Sequence, residues 1–447
     1  MASTYLAKTN PTAGSRQKGT ISFWVKRGKL GSSEFLYVEE LNSTDNGVVL
    51  FSSGNTFNFI NYNGGSATAQ LSTNRLFRDT SAWYHLMVAW DTTQATSSDR
   101  IKMYINGEQE TSFSTAIYPS LNDNLKFGIG SPSGNNYDIN IGRRAAGDYF
   151  TGSMSHFHRV DDQQLDVSVF GEYDANGVWK IKTSPSITYT GSSSFNFFIL
   201  KDGNSVTDQS GNGNNLTVPG GTLTNTEDNP SNVFATYNPL MNKSSGVPTM
   251  SNGNLTLTTN SEEFGSVSSI GVSQGKWYCE IKWDSGLYAM VGITGDPIIL
   301  STNGSAYAGI TADSWGYHYS GNVYNNNSTL ATYSTFATSD ILGIALDLDN
   351  NKLYFSKNGT WQNSADPSAG TNGISITSAS SVSEGNYFMW VGNGSSAGNA
   401  TLSANFGNGY FGTTAVASAG TNASGIGIFE YDVPTGYTAL STTGLNL

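Results

Sequence analysis

Three aromatic residues set in polar surroundings, Tyr307, Tyr324 and Trp361, are the side chains of this sequence best suited to hold a ligand. Each falls in an expected loop, where a ring offers a flat face to a sugar or an anchor to a protein. Groups able to do covalent or metal chemistry are scarcer. Retaining glycoside hydrolysis needs two carboxyls about 5–5.5 Å apart. Adjacent Glu39 and Glu40 cannot form that pair by themselves, because successive side chains of a strand point to opposite faces. His156 and His158 share a strand face at i, i+2, but neighbouring Phe157 and Arg159 add no third zinc donor. Cys279 is the only cysteine, which excludes an intrachain disulfide and a cysteine-rich zinc centre. Between Tyr278 and Glu280 in an alternating run, it reads as a small buried residue. Asp347-Leu348-Asp349-Asn350-Asn351 begins like a calcium loop. Lys352 stands at the glycine position and Asn358 at that of the bidentate glutamate, so a hairpin turn accounts for it.

The elements that must position these residues are strands. Period-two runs follow one another through the first part of the chain, among them Thr20 to Val25, Trp83 to Trp90, Ile101 to Ile105 and Gly152 to Val160. Asn106-Gly107 supplies a hairpin turn, and Asp161 to Phe170 is the best candidate for a short helix. Ser194 to Leu200 is an apolar strand expected to pack back on this part. Asp208 to Leu240 is too rich in Gly, Asn and Pro to hold a core of its own, and Asn229-Pro230 and Asn238-Pro239 favour extended backbone. Beyond it, Lys276 to Trp283 alternates with Trp277, Cys279, Ile281 and Trp283 on one face, and Tyr288 to Thr294 and Ile341 to Leu348 continue the series. The expected class is all-β: antiparallel sandwiches at 1–182 and 241–447, with residues 183–240 as a strand and extended connector packing on the first.

Composition narrows the class of job. Only 13% of the 447 residues are charged, about half the ~25% of an ordinary soluble domain, so Asn, Ser, Thr and Gly must wet the surface. A net charge of -12 argues against nucleic acid, which needs clustered Lys and Arg. No stretch approaches the ~18–20 apolar residues of a membrane span, and Met1 to Thr20 hold no apolar run of signal-peptide length. Synthesis in a cytoplasm without membrane insertion is the expectation.

The phrases TISFWVKR, WYHLMVAWD, KMYINGEQ and INIGRRAAGDYFTGSMSHFHRVD resemble the laminin-G-like, concanavalin-A-like jelly roll. That fold hosts carbohydrate binders, adhesion modules and glycoside hydrolases, so it does not settle function. Its retaining hydrolases carry Glu-x-Asp-x-x-Glu. Here Glu172-Tyr173-Asp174 is followed by Gly177 and Glu430-Tyr431-Asp432 by Thr435, where the second glutamate would stand. No catalytic residue is therefore expected, and the chain is read as no enzyme. Some relatives hold calcium at a rim through Asp and backbone oxygens, and Asp91, Asp99, Asp123 and Asp138 lie in suitable loops. The phrases GKWYCEI, MVGIT, DSWGYHYSGN, SDILGIALDLDNNKLYFSKNGTW, FMWVG and ANFG resemble the SPRY (B30.2-type) family. That resemblance implies binding of peptides or proteins through loops at one end of a sandwich, without catalysis.

Taken together, the two domains and the DQSGNGNN to NVFATYNPL stretch are similar to structural proteins of tailed, notably marine, bacteriophages. The resemblance implies a virion component, in a fibre, tail appendage or head decoration, present in many copies. Its partners would be other virion proteins and a glycan or protein of the host surface, with no cofactor beyond calcium. The alternatives are a purely structural decoration or assembly protein, and a glycoside hydrolase of concanavalin-A-like fold.

Overall fold

The computed structural model describes residues 4–131, 138–144, 148–201, 206–241, 248–260, 264–298, 307–395 and 398–446. The chain divides into two compact units, Met1–Asn225 and Thr226–Leu447. Each is built from sheets whose strands pair antiparallel, apart from the short parallel pairing of Lys276–Gly286 with Thr438–Ala439, and among the described residues the helical turns outside 297–298 are short 3₁₀ turns.

In the first unit, an eight-stranded sheet and a six-stranded sheet enclose one apolar cluster. Alternation along Lys18–Arg27 sends Ile21, Phe23 and Val25 inward, where Ile21 pairs with Val88 and Phe23 with Leu86 of Trp83–Asp91. A buried ion pair joins the two sheets. Arg159 Nε lies 3.1 Å from Glu39 Oε1, to which Tyr37 Oη also donates at 2.7 Å, and the guanidinium stands 4.7 Å from the Trp90 ring centre. Asn106 and Gly107 both take positive φ, as the tight turn between Ile101–Ile105 and Glu108–Glu110 requires.

Two expectations need correction. No helix forms over 161–170: residues through Asp161 extend the strand Gly152–Asp161, and only Val167–Val169 makes a 3₁₀ turn, with the Asp166 carboxylate accepting from Ser168 N. The strand expected within 183–240 does pack on the first unit, but the connector after it is divided between the two units. Phe197–Ile199 joins the six-stranded sheet beside Gly152–Asp161, and Thr217–Gly220 joins the eight-stranded sheet beside Tyr5–Thr9. Between these strands the DQSGNGNN loop closes on one carboxylate. Asp208 accepts from Phe198 N, Ser210 N, Ser210 Oγ and Asn214 N, all within 2.9 Å. Residues 226–240 belong to the second unit, where Ala235 N donates to Leu440 O and Tyr237 N to Asn254 O.

The second unit pairs a nine-stranded with a six-stranded sheet. Trp277, Cys279, Ile281 and Trp283 of Lys276–Gly286 point into the core shared with Val291, Ile293, Trp315 and Tyr317 of the opposite sheet. The outer face of the nine-stranded sheet is covered by the C-terminal segment, whose Ile426, Phe429, Val433 and Tyr437 pack on Tyr278, Ala345 and Tyr354.

Candidate functional site

On the six-stranded sheet of the second unit, register fixes which residues share the outer face. Val291 and Tyr317 go inward, so Met290 and His318, paired across Ala289–Thr294 and Ser314–His318, go outward. Gly316 faces Tyr324 on the next strand, Asn322–Asn325, and puts that ring on the same side. Tyr307, from the preceding loop, closes on it with ring centres 6.0 Å apart, edge to face. His318 follows at 6.1 Å from Tyr324. Beneath them Met290, Ala308 and Trp390 are fully buried. Tyr307 Oη donates to Asn327 Oδ1 at 3.0 Å, and Asn322 Nδ2 donates to Tyr324 Oη at 3.1 Å. His318 Nδ1 sits 2.7 Å from Ser320 Oγ, while its Nε2 is buried without a partner. Burial lowers the ring's pKa to about 4, so the imidazole is neutral near pH 7.

Tyr307 and Tyr324 are thus brought together, and Trp361 is not with them. It lies on Thr360–Trp361 of the other sheet, edge to face with Tyr278 at 6.3 Å, and serves the cover of that sheet. The Asn358-Gly359 turn sends the chain straight back into a short strand, which places the indole against the sheet rather than at the loop tip.

The four aspartates do not converge. Asp91 accepts from Thr93 N, Thr93 Oγ1 and Gln94 Nε2 and lies 3.5 Å from Lys18 Nζ. Asp99 pairs with Lys102 at 3.2 Å, and the Asp123 carbonyl accepts from Thr92 Oγ1. Asp138 stands elsewhere, on the eight-stranded sheet, directly opposite Glu40, which is itself opposite Asn46. Three oxygens on this face are buried without a donor: Glu40 Oε2, Asn46 Oδ1 and Asn140 Oδ1. The Asn46 amide is oriented by its Nδ2, which donates to Asn42 O and Ser43 O. Desolvation raises the Asp138 pKa and Arg143 pulls it back down. Arg143 itself stacks 3.6 Å from the Tyr5 ring centre, with its Nε buried and unpartnered. Among the described residues, no group of three or more His, Cys, Asp or Glu could hold a metal ion.

The remaining candidates are spent on structure. His156 takes φ 49° at a bulge and turns Nδ1 to Ser155 Oγ, while His158 Nδ1 lies 2.7 Å from Tyr189 Oη. Burial pushes the Cys279 thiol well up, leaving it unreactive. Glu172 pairs with Lys182 at 3.5 Å, and Glu430 accepts from Ala417 N. Sequence reasoning passed over His318 and the Glu40–Asp138 pair. The period-two pattern around Ser314–His318 could have placed the first beside Tyr324; the second depended on a pairing between strands far apart in the chain.

Residues 2–163 match the family model of the concanavalin A-like lectin/glucanases superfamily, and residues 276–374 match that of the SPRY domain. No curated protein matches the chain. Similar solved structures include the SPRY domain of human HERC1, at 20% identity over 38% of this chain and 96% of that one, with a TM-score of 0.29. Stonustoxin is similar at 19% identity over 38% of this chain and 27% of that one, TM-score 0.29. A heptameric SAP-like pentraxin from Limulus polyphemus is similar at 15% identity over 36% and 71%, TM-score 0.26. Among the described residues no helix is long and apolar enough to cross a membrane.

Proposed function

From a chain that carries a concanavalin-A-like domain followed by a SPRY domain, we propose a non-catalytic virion component of a tailed bacteriophage, in a fibre, tail appendage or head decoration. It presents its β-sandwich modules to a glycan or protein of the host surface. The observation that carries the binding role is the half-buried ring cluster of Tyr307, Tyr324 and His318, backed by a buried apolar floor. Rings held rigidly at a surface lose little freedom on binding, so a weak single contact is useful, and many copies on one particle multiply it. The low charge content supports the same reading, since few charged side chains need be desolvated where a particle protein lies against its neighbours.

The test is to incubate fluorescently labelled protein with candidate host cells and with their extracted surface polysaccharide. Saturable binding that polysaccharide competes away is the expected result. Absence of binding, even when the protein is displayed in many copies on a bead, would overturn adsorption and leave a decoration or assembly role. A chelator arm addresses calcium. The oxygens of Glu40, Asp138, Asn46 and Asn140 are hard donors of the kind calcium takes, while Arg143 competes for the Asp138 carboxylate.

One observation favours a second reading, glycoside hydrolysis. Glu40 and Asp138 are carboxylates from separate strands that face each other on one sheet face, the arrangement absent from local sequence motifs. Release of reducing ends from host polysaccharide would establish it.

A further inference from the structure

The ring cluster of the second unit is unusual in what surrounds it. Tyr324 and His318 make their ring and side-chain contacts with Tyr307, Tyr319, Asn322 and Ser320, all uncharged groups. Burial is what lowers the pKa of the His318 ring. The adjoining hairpin, Asn322–Asn325 and Ser328–Thr332, turns through Asn326 and Asn327, both at positive φ, and exposes amides and hydroxyls along its edge. Asn322 and Asn327 are each tied to a tyrosine hydroxyl through one end of the amide, which fixes the direction of the other end. His318 Nε2 adds a buried ring nitrogen with no partner. Among the described residues, the groups in contact with these rings include no cation for an anion and no carboxylate for a basic peptide, so flat rings, oriented neutral amides and a hydroxyl-rich margin match an uncharged polyhydroxylated ring.

This inference rests on the reading of the chain as a surface binder. We propose that Tyr307, Tyr324 and His318 form a subsite for an uncharged sugar residue of the host-surface glycan, with the Tyr324 ring against the pyranose face and the Asn322 and Asn327 amides bonding its hydroxyls. A peptide added along the edge strand Ser328–Thr332 would be the competing use of the same region, and the test separates the two.

Titration calorimetry on the full chain would use neutral hexasaccharides of glucose, mannose and N-acetylglucosamine, the anionic hexamer of galacturonic acid, and a pool of extended peptides. The proposal expects at least one neutral hexasaccharide to bind. Tyr324→Ala should weaken it about tenfold or more, while Tyr324→Phe, which keeps the ring and loses only the hydroxyl that holds the Asn322 amide, should weaken it by less than Tyr324→Ala does. Equal thermal unfolding of parent and variants, read by circular dichroism, secures the comparison. Binding of the anionic hexamer or peptides alone, or neutral-sugar binding unmoved by Tyr324→Ala, would overturn the subsite. If host cells still bind while every hexasaccharide fails, this subsite falls and the adsorption reading stands. If the cells fail as well, both fall together.

Discussion

His85 is wholly buried on Trp83–Asp91, and its two nitrogens are assigned by their neighbours. Trp179 Nε1 donates to Nδ1 at 3.1 Å, so Nε2 carries the proton and donates to Ser22 Oγ at 2.8 Å. Only the neutral ring satisfies both, and burial lowers its pKa to about 3 from the usual 6.5. Between about pH 6.5 and 3 the unfolded chain therefore binds a proton that the folded one refuses. Stability is present above that window and is lost as pH falls through it, by about 1.4 kcal/mol per pH unit for one proton. His158, lowered by burial in the same direction, adds to the slope. Glu280 acts oppositely, since burial pushes its pKa up to about 7, so the isolating quantity is a difference. His85→Gln, whose amide can accept from Trp179 and donate to Ser22, should unfold in urea with a shallower loss between pH 6 and 5 than the parent. An unchanged slope would place the titration elsewhere. None of this is written in the sequence around His85, where an aromatic and β-branched run announces a strand; the proton's position depends on Trp179, ninety-odd residues later.

At the scale of elements, the strands were legible wherever period-two alternation was long enough to bury one face, as in Lys276–Gly286 with its four inward residues. Among the short strands, Phe197–Ile199 showed through the apolar run Ser194 to Leu200, but the four-residue Thr217–Gly220 did not, and the loop between them gains its order from the Asp208 carboxylate, which composition can only register as turn-rich. The cover of the nine-stranded sheet was equally hidden, because its anchor is a residue 150 positions away. Glu280 accepts from Glu430 N and Tyr431 N at 2.8 Å each, and from Tyr278 Oη and Asn405 Nδ2. Glu280→Gln puts an amide N–H₂ where donors converge and leaves buried groups unpaired, a cost of about 2–4 kcal/mol. In hydrogen exchange at pH 8, the amides of Glu430 and Tyr431 should lose protection in the variant while those of Lys276–Gly286 keep it. Undiminished protection at 430–431 would show that the apolar contacts of Phe429, Val433 and Tyr437 hold the cover by themselves.

For the whole molecule, the position of the domain boundary decides what each half needs to close its core. The sequence reading put the first domain's end at residue 182 and the second's start at 241, with the stretch between them as a strand and extended connector packing on the first. The chain instead changes unit at Asn225 and Thr226, and the difference is a matter of buried side chains. A first half ending at 182 would strip Phe195, Phe197, Ile199 and Leu216 from its apolar cluster and leave the edge of Gly152–Asp161 unpaired. A second half starting at 241 would lose Phe234, Ala235 and Tyr237, all buried, together with the backbone bonds they make to Leu440 and Asn254. Truncating one large buried aromatic to alanine costs about 3–5 kcal/mol, and whole domains are stable by only about 5–15, so losing several should exceed what either half can spare. Expressed separately, residues 1–225 and 226–447 should each show a single sharp urea transition and native-like near-ultraviolet circular dichroism. Fragments 1–182 and 241–447 should aggregate or unfold without cooperativity. Cooperative folding of those shorter fragments would mean that the strands at 197–199 and 217–220 and the segment at 234–237 decorate cores already complete without them.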